Sequence, residues 1–160
     1  MGTFDLFKSE KIEEEEKRAY QILVASNNQN IEGNAFAVLH EAVRSLTNQN
    51  LIADVAKNNK YAGIRKAAVK KLTVQKVLID IAENDGNIDV REEAIGFVTD
   101  QSVLEFIAKY DKQSGARESA IYQLEDQEVL ADIALNDDDS MNRYAAKSRI
   151  TDQNILSKLG

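Results

Sequence analysis

The 160-residue chain has no cysteine, no proline and no tryptophan, and a single histidine. Without thiols there is neither a disulfide framework nor cysteine-ligated zinc, and their absence fits a reducing compartment. Average usage would place about 8 prolines in a chain of this length, so helices here are free of their commonest breaker. No run approaches the ~20 apolar residues of a membrane span. The opening Met1-Gly-Thr-Phe-Asp-Leu-Phe-Lys8 lacks the basic and apolar regions of a secretory signal. Leu6 stands where a myristoylation motif after Gly2 wants Ser or Thr. These absences read as a cytoplasmic protein with no membrane contact. Catalytic signatures are missing too: there is no Gly-rich phosphate loop and no Gly-x-Ser-x-Gly, and His40 has no second histidine to work with. Asp85-Gly-Asn-Ile-Asp89 and Asp137-Asp-Asp-Ser140 suggest calcium, but neither has the glycine and terminal glutamate of an EF-hand loop, and turn formation explains them better. No metal and no cofactor are expected.

What is present is a phase. Gln49, Gln75, Gln101, Gln127 and Gln153 recur at a step of 26, as do Arg65, Arg91, Arg117 and Arg143. Two alanine lines keep the step: Ala56, Ala82, Ala108 and Ala134, and Ala42, Ala68, Ala94, Ala120 and Ala146. A fixed period in this range is the mark of one supersecondary unit copied into a stack. Within a unit, Val77, Leu78, Ile81 and Ala82 form one helical face and Val90, Ala94, Ile95 and Val98 another, separated by the turn formers Asn84-Asp-Gly-Asn87. Each unit is therefore a helix A, a short turn, a helix B and a tight corner, giving about ten short helices in all. Helices of eight to ten residues are marginal alone and must be held by neighbours. Thr47, Thr73, Thr99 and Thr151 stand at the corners, with Glu125 the exception, and are expected to cap the following helix A. The alanine lines allow close helix contacts. Val69, Ile95 and Ile121 fill the layer beside them, and on helix A Leu78, Leu104, Leu130 and Leu156 act with Val55, Ile81, Ile107 and Ile133.

The pattern Leu-x-x-Ile-Ala-x-x-Asp-x5-Arg-x-x-Ala resembles a HEAT-type repeat, in a short 26-residue form near the bacterial HEAT-like and leucine-rich-variant repeats. The resemblance implies an all-α fold, a right-handed α-solenoid of short helix pairs of the HEAT/ARM kind. HEAT repeats usually carry an Asp in the turn and an Arg six residues later; Asp85 with Arg91, Asp111 with Arg117 and Asp137 with Arg143 match both. By resemblance these residues form a structural ladder of charge-assisted bonds between successive turns. Asn59 with Arg65 keeps the arginine and loses the carboxylate. The second helix could be partly 3₁₀.

The whole of 1–160 reads as one repeat domain. Residues 10–45 hold an N-terminal capping helix and a degenerate repeat, 46–149 four 26-residue repeats, and 150–160 a half-repeat C-terminal cap. In the degenerate unit Tyr20, Val24 and Ala25 match helix A and Ala42, Val43 and Leu46 match helix B, with Leu39 at the arginine position and a join five residues longer than elsewhere. The charged segment 10–18 would close one end, because an open stack exposes core. At the other end the core lines turn polar, at Lys147 and Asn142. An exposed seam of Ile155, Leu156 and Leu159 that pairs two copies is the alternative to a monomer with a built cap.

Charge is uneven. Residues 1–80 hold 12 Lys/Arg against 10 Asp/Glu, net +2, and residues 81–160 hold 8 against 17, net −9. Seven basic residues and no acid lie between Lys57 and Lys76. Such polarity orients partners, or merely reflects solvated faces. If helix B lines the concave face, as the resemblance implies, that face carries His40, Arg44, Lys66, Lys70 and Lys71, then Glu92 and Glu118. Phe97, Tyr122 and Tyr144 stand at non-core phases, either as interface anchors or as half-buried spacers. The reading is a non-catalytic scaffold or adaptor that binds an unidentified protein partner on this face. The alternative is nucleic-acid or phosphate binding through the basic patch at 57–76. A HEAT-like enzyme comes third: some such proteins are DNA glycosylases or bilin lyases, but a glycosylase wants a basic channel with stacking aromatics. The acidic second half and the lack of tryptophan argue against that, and against nucleic acid in general.

Overall fold

The computed structural model describes residues 3–159, with side chains from Lys11 onward except Ile12. Met1 and Gly2, where the targeting readings begin, and Gly160 lie outside the described residues, as do the side chains of residues 3–10. Every regular element among the described residues is a helix, and there are eleven. The chain divides into two compact units, Met1–Val74 and Gln75–Gly160. The first holds α1 (Thr3–Ser26), α2 (Ala35–Ser45), α3 (Gln49–Asn58) and α4 (Ala62–Val69). The second holds α5 (Gln75–Asn84), α6 (Ile88–Ile95), α7 (Gln101–Tyr110), α8 (Ser114–Ile121), α9 (Gln127–Asn136), α10 (Ser140–Arg149) and α11 (Gln153–Leu159). Consecutive helices pair, α1 with α2, α3 with α4, α5 with α6, α7 with α8 and α9 with α10. Equivalent helices then stack: α2 on α4 in the first unit, and α6 on α8 on α10 in the second.

The buried positions follow the repeat. In the second unit Leu78, Ile81 and Ala82, then Leu104, Ile107 and Ala108, are buried on helix A; Val90, Ala94 and Ile95, then Ala116, Ala120 and Ile121, are buried on helix B, with Val98 and Leu124 buried just beyond its end. The alanine lines are interior except at Ala134, which is half-buried while Ala131 beside it is buried. The second helices are α-helical, and their ends tighten into 3₁₀-type bonds, as where the Lys71 and Leu72 N–H groups reach Ala68 and Val69 three residues back.

Two sequence expectations are corrected. Thr47, Thr99 and Thr151 do not cap: Asn48, Asp100 and Asp152, one residue later, accept from the N–H groups of the first turn, as Asp126 does after Glu125. A carboxylate or amide oxygen reaches those donors better than a hydroxyl at the outer position. The threonines instead engage the glutamine line. Gln49 Oε1 accepts from the N–H and hydroxyl of Thr73 at 2.8 and 3.1 Å, and Gln75 does the same for Thr99 at 3.0 and 3.1 Å. Gln127 holds Thr151 likewise, and Gln101 holds the Glu125 N–H at 3.0 Å. From the other end of the amide, Gln49, Gln75 and Gln101 donate to the carbonyls of Lys71, Phe97 and Gln123. One side chain thus fastens each helix A to the corner that follows it.

The second correction concerns the degenerate unit. Its first helix is the end of the 24-residue α1, and the buried face is Ala19, Leu23 and Ser26. Tyr20 is half-buried, and Val24 and Ala25 are exposed. On α2 the side chain at the arginine position, Leu39, turns inward and Val38 outward. Glu16 takes the part of the missing glutamine and accepts from the Thr47 and Asn48 N–H groups. Burial alone would push its carboxyl up, but those bonds hold it below the ordinary value. The longer join is tied down by the next repeat: the Tyr61 hydroxyl donates to the Gln29 carbonyl at 2.6 Å and accepts from the Ile31 N–H at 2.9 Å. Gly33, at φ 54, sits in this join in the left-handed region that suits glycine.

At the last helix Ile155 is buried and Leu156 and Leu159 are half-buried as α11 packs on α9. Asn142 is fully buried and satisfied, its amide donating to the Ser114 carbonyl at 3.2 Å, while Lys147 is exposed.

Candidate functional site

The turns between helices A and B in the second unit form a polar edge with a common construction. Each Asp closes an Asx turn, Asp85 accepting from the Asn87 N–H, Asp111 from Gln113 and Asp137 from Asp139, at 2.8–2.9 Å. Each Arg six residues on donates to the carbonyl of that same Asp, at 3.1 Å from Arg91, 3.0 Å from Arg117 and 2.8 Å from Arg143. The carboxylate partner lies one turn further along. Arg117 grips Asp137 with two bonds of 2.9 Å and reaches Asp138 as well, whereas Arg91 stands 3.6 Å from Asp111. Burial alone would push the Asp137 carboxyl up, yet Arg117 and the Asp139 N–H hold it below the ordinary value, and the pair raises Arg117. Asn59 keeps the Asx turn, onto the Tyr61 N–H at 3.0 Å, and spends its amide on the Leu23 carbonyl.

The residues singled out as a binding face divide between the two units. In the first, His40 is exposed on α2 and Arg44 is exposed with Glu41 at 3.3 Å. Lys66 is half-buried on α4 and Lys70 exposed at its end. Lys71 is occupied structurally: its ammonium reaches the carbonyls of Val43, Arg44 and Leu46 at the end of α2, as a cation favours a helix C-terminus. Arg149 does the same one period on from Gln123, donating to Leu124 at 3.1 Å. Lys60 and Arg65 also donate to backbone carbonyls, so the run between 57 and 76 is partly spent on the fold. In the second unit Glu92 and Glu118 are half-buried, and the Glu92 carboxylate lies over Gly115. Phe97, Tyr122 and Tyr144 are all exposed, but no ring contact among the described residues joins them.

A different feature was missed. Phe106 and Tyr110 on α7 are 59% and 68% exposed, with ring centroids 5.4 Å apart at an interplanar angle of 52°. They form one wall of a groove of about 620 Å³, with Glu83 and Asn84 of α5 opposite. Arg91, Ile107 and the turn Asp111–Gln113 complete it. The signal was in the repeat. At the position of Phe106 the other units carry Asp54, Asp80 and Asp132, and at that of Tyr110 they carry Asn58, Asn84 and Asn136. There the asparagine amide donates to the aspartate four residues back, at 2.8, 3.2 and 2.7 Å. One repeat alone exchanges this polar staple for two exposed rings.

Among the described residues no group of acidic and histidine side chains is placed to hold a metal, and no helix is long and apolar enough to cross a membrane. Comparison with protein families, with curated proteins and with solved structures finds no match.

Proposed function

We propose that the chain is a non-catalytic protein-binding scaffold, a right-handed HEAT-like α-solenoid in which an internally satisfied framework carries exposed aromatic contacts for a partner. The observation that carries this reading is a contrast. The in-phase glutamines, arginines and alanines are consumed by packing and hydrogen bonds, while seven large apolar side chains between Phe97 and Tyr144 remain exposed. Aromatics of this kind anchor interfaces because they bury much area at small entropic cost. The basic-patch alternative has less support, since Lys60, Arg65 and Lys71 donate to carbonyls of the fold.

The test is affinity capture from native extract with the wild-type chain, Tyr122→Ala, Tyr144→Ala and the double variant Phe106→Asp with Tyr110→Asn. A protein retained by wild type and lost with at least one aromatic variant of unchanged helicity supports the reading. Retention of nucleic acid instead, with affinity falling steeply in salt, would favour the alternative.

A further inference from the structure

We infer that the groove beside α7 receives a cationic side chain, arginine above all, from a basic segment of a protein partner. The inference rests on the protein-binding reading and gives it a chemistry. Phe106 and Tyr110 are tilted at 52° to each other and largely exposed, and a planar guanidinium stacks on aromatic faces better than any other charged group. The wall opposite is the last turn of α5, and the rings themselves belong to the last turns of α7. Two helix C-termini thus meet at the groove, each with the negative end of its dipole. The cation of α7's last turn, Lys109, is drawn off to Glu105 and Asp132 at 3.1 and 3.0 Å, and α5 has none. Glu83 lines the groove, exposed and without a partner among the described residues.

Arg91, also in the lining, is committed to the Asp85 carbonyl and to Asp111, which leaves Glu83 and Lys112, one charge of each sign, among the lining residues. The surroundings decide the sign: residues 75–160 hold 9 Lys/Arg against 18 Asp/Glu. A field of that sign concentrates cations at the surface and speeds their encounter. The substitution pattern agrees. Replacing Asp and Asn by Phe and Tyr in one repeat removes a self-satisfied staple and leaves two adjacent exposed rings, the type of surface that marks an interaction site.

The test is titration of the full chain with three acetylated, amidated tripeptides, Ala-Arg-Ala, its citrulline analogue and Ala-Glu-Ala, followed by amide chemical shifts. The arginine peptide should bind in the millimolar range and move the resonances of Asn84, Phe106, Tyr110 and Asp111. Citrulline, the same shape without charge, should bind about fivefold more weakly, and the glutamate peptide not at all. Glu83→Gln should weaken binding and Lys112→Ala strengthen it. The double variant Phe106→Asp with Tyr110→Asn should abolish it, and because it restores the staple of the sister repeats it should fold. Equal affinity for citrulline and arginine, or no shift up to about 20 mM peptide, would overturn the inference. Shifts confined to Phe97, Tyr122 and Tyr144 would overturn it too, yet leave the protein-binding reading standing. That reading fails separately, if native capture returns nothing sensitive to any aromatic variant.

Discussion

Arg91 and Arg117 share a phase of the repeat and hold different shares of the fold. Arg117 makes two bonds of 2.9 Å to Asp137, whose side chain is 4% exposed, and one to the Asp111 carbonyl. Truncation strands a buried carboxylate, so Arg117→Ala should cost about 3 kcal/mol. Arg91→Ala removes one backbone bond and a 3.6 Å ion pair and should cost about 1 kcal/mol. Urea midpoints of the two variants test that order; equal midpoints would mean that the second-turn carboxylate contributes little. The alanine lines offer a parallel contrast. Ala108 is fully buried and Ala134 is half-buried. Ala108→Leu should therefore lose about 2 kcal/mol by overpacking, and Ala134→Leu less than about 0.5 kcal/mol. The arginine six residues after its aspartate was legible in the sequence, and the bonding between successive turns was implied by the resemblance alone. Spacing along one turn says nothing about which carboxylate of the next turn swings within reach.

At the scale of the element, the glutamine line is the joint between helix and corner. Gln75→Ala should cost about 1 kcal/mol and, more specifically, accelerate amide exchange at Thr99, whose N–H and hydroxyl it accepts. Thr151, held by Gln127, should keep its protection. Carboxylates hold other joints, and they make the fold sensitive to acid. Asp132, Asp137 and Glu16 all titrate below their ordinary values in the folded chain. The folded state therefore binds fewer protons than the unfolded one at these sites. Their contribution is complete above the unfolded values, near pH 4, and is lost as pH falls through the depressed folded values. The urea midpoint should be flat from pH 7 to about 5 and decline below about 4, and Asp137→Asn should start lower and decline less. The alternation of helix, turn and helix was readable because period and turn formers agreed. The capping residues were displaced by one because Thr-Asp and Thr-Asn pairs offer two adjacent candidates, and only geometry selects the longer reach. The degenerate unit was misaligned because Glu16 replaces the diagnostic glutamine and α1 runs on without a break.

For the whole molecule, the periodic framework could be read from the sequence because repetition averages away local ambiguity. The groove is the converse case: Phe106 and Tyr110 are visible only as an exception to a line of Asp and another of Asn, neither of which belongs to the core. Because Arg91 and Arg117 each reach the aspartate of the next turn from equivalent places, the repeats are interchangeable parts. Excising residues 101–126 would join Asp100 to Gln127 without changing phase. Arg91 would then face Asp137 in place of Asp111, and α6 would meet α10 in place of α8. Stability in such arrays is close to a sum over units and their interfaces. The shortened chain should remain helical by circular dichroism and melt cooperatively at a lower temperature. It would also lose the aromatic groove, since Asp132 and Asn136 would occupy the places of Phe106 and Tyr110.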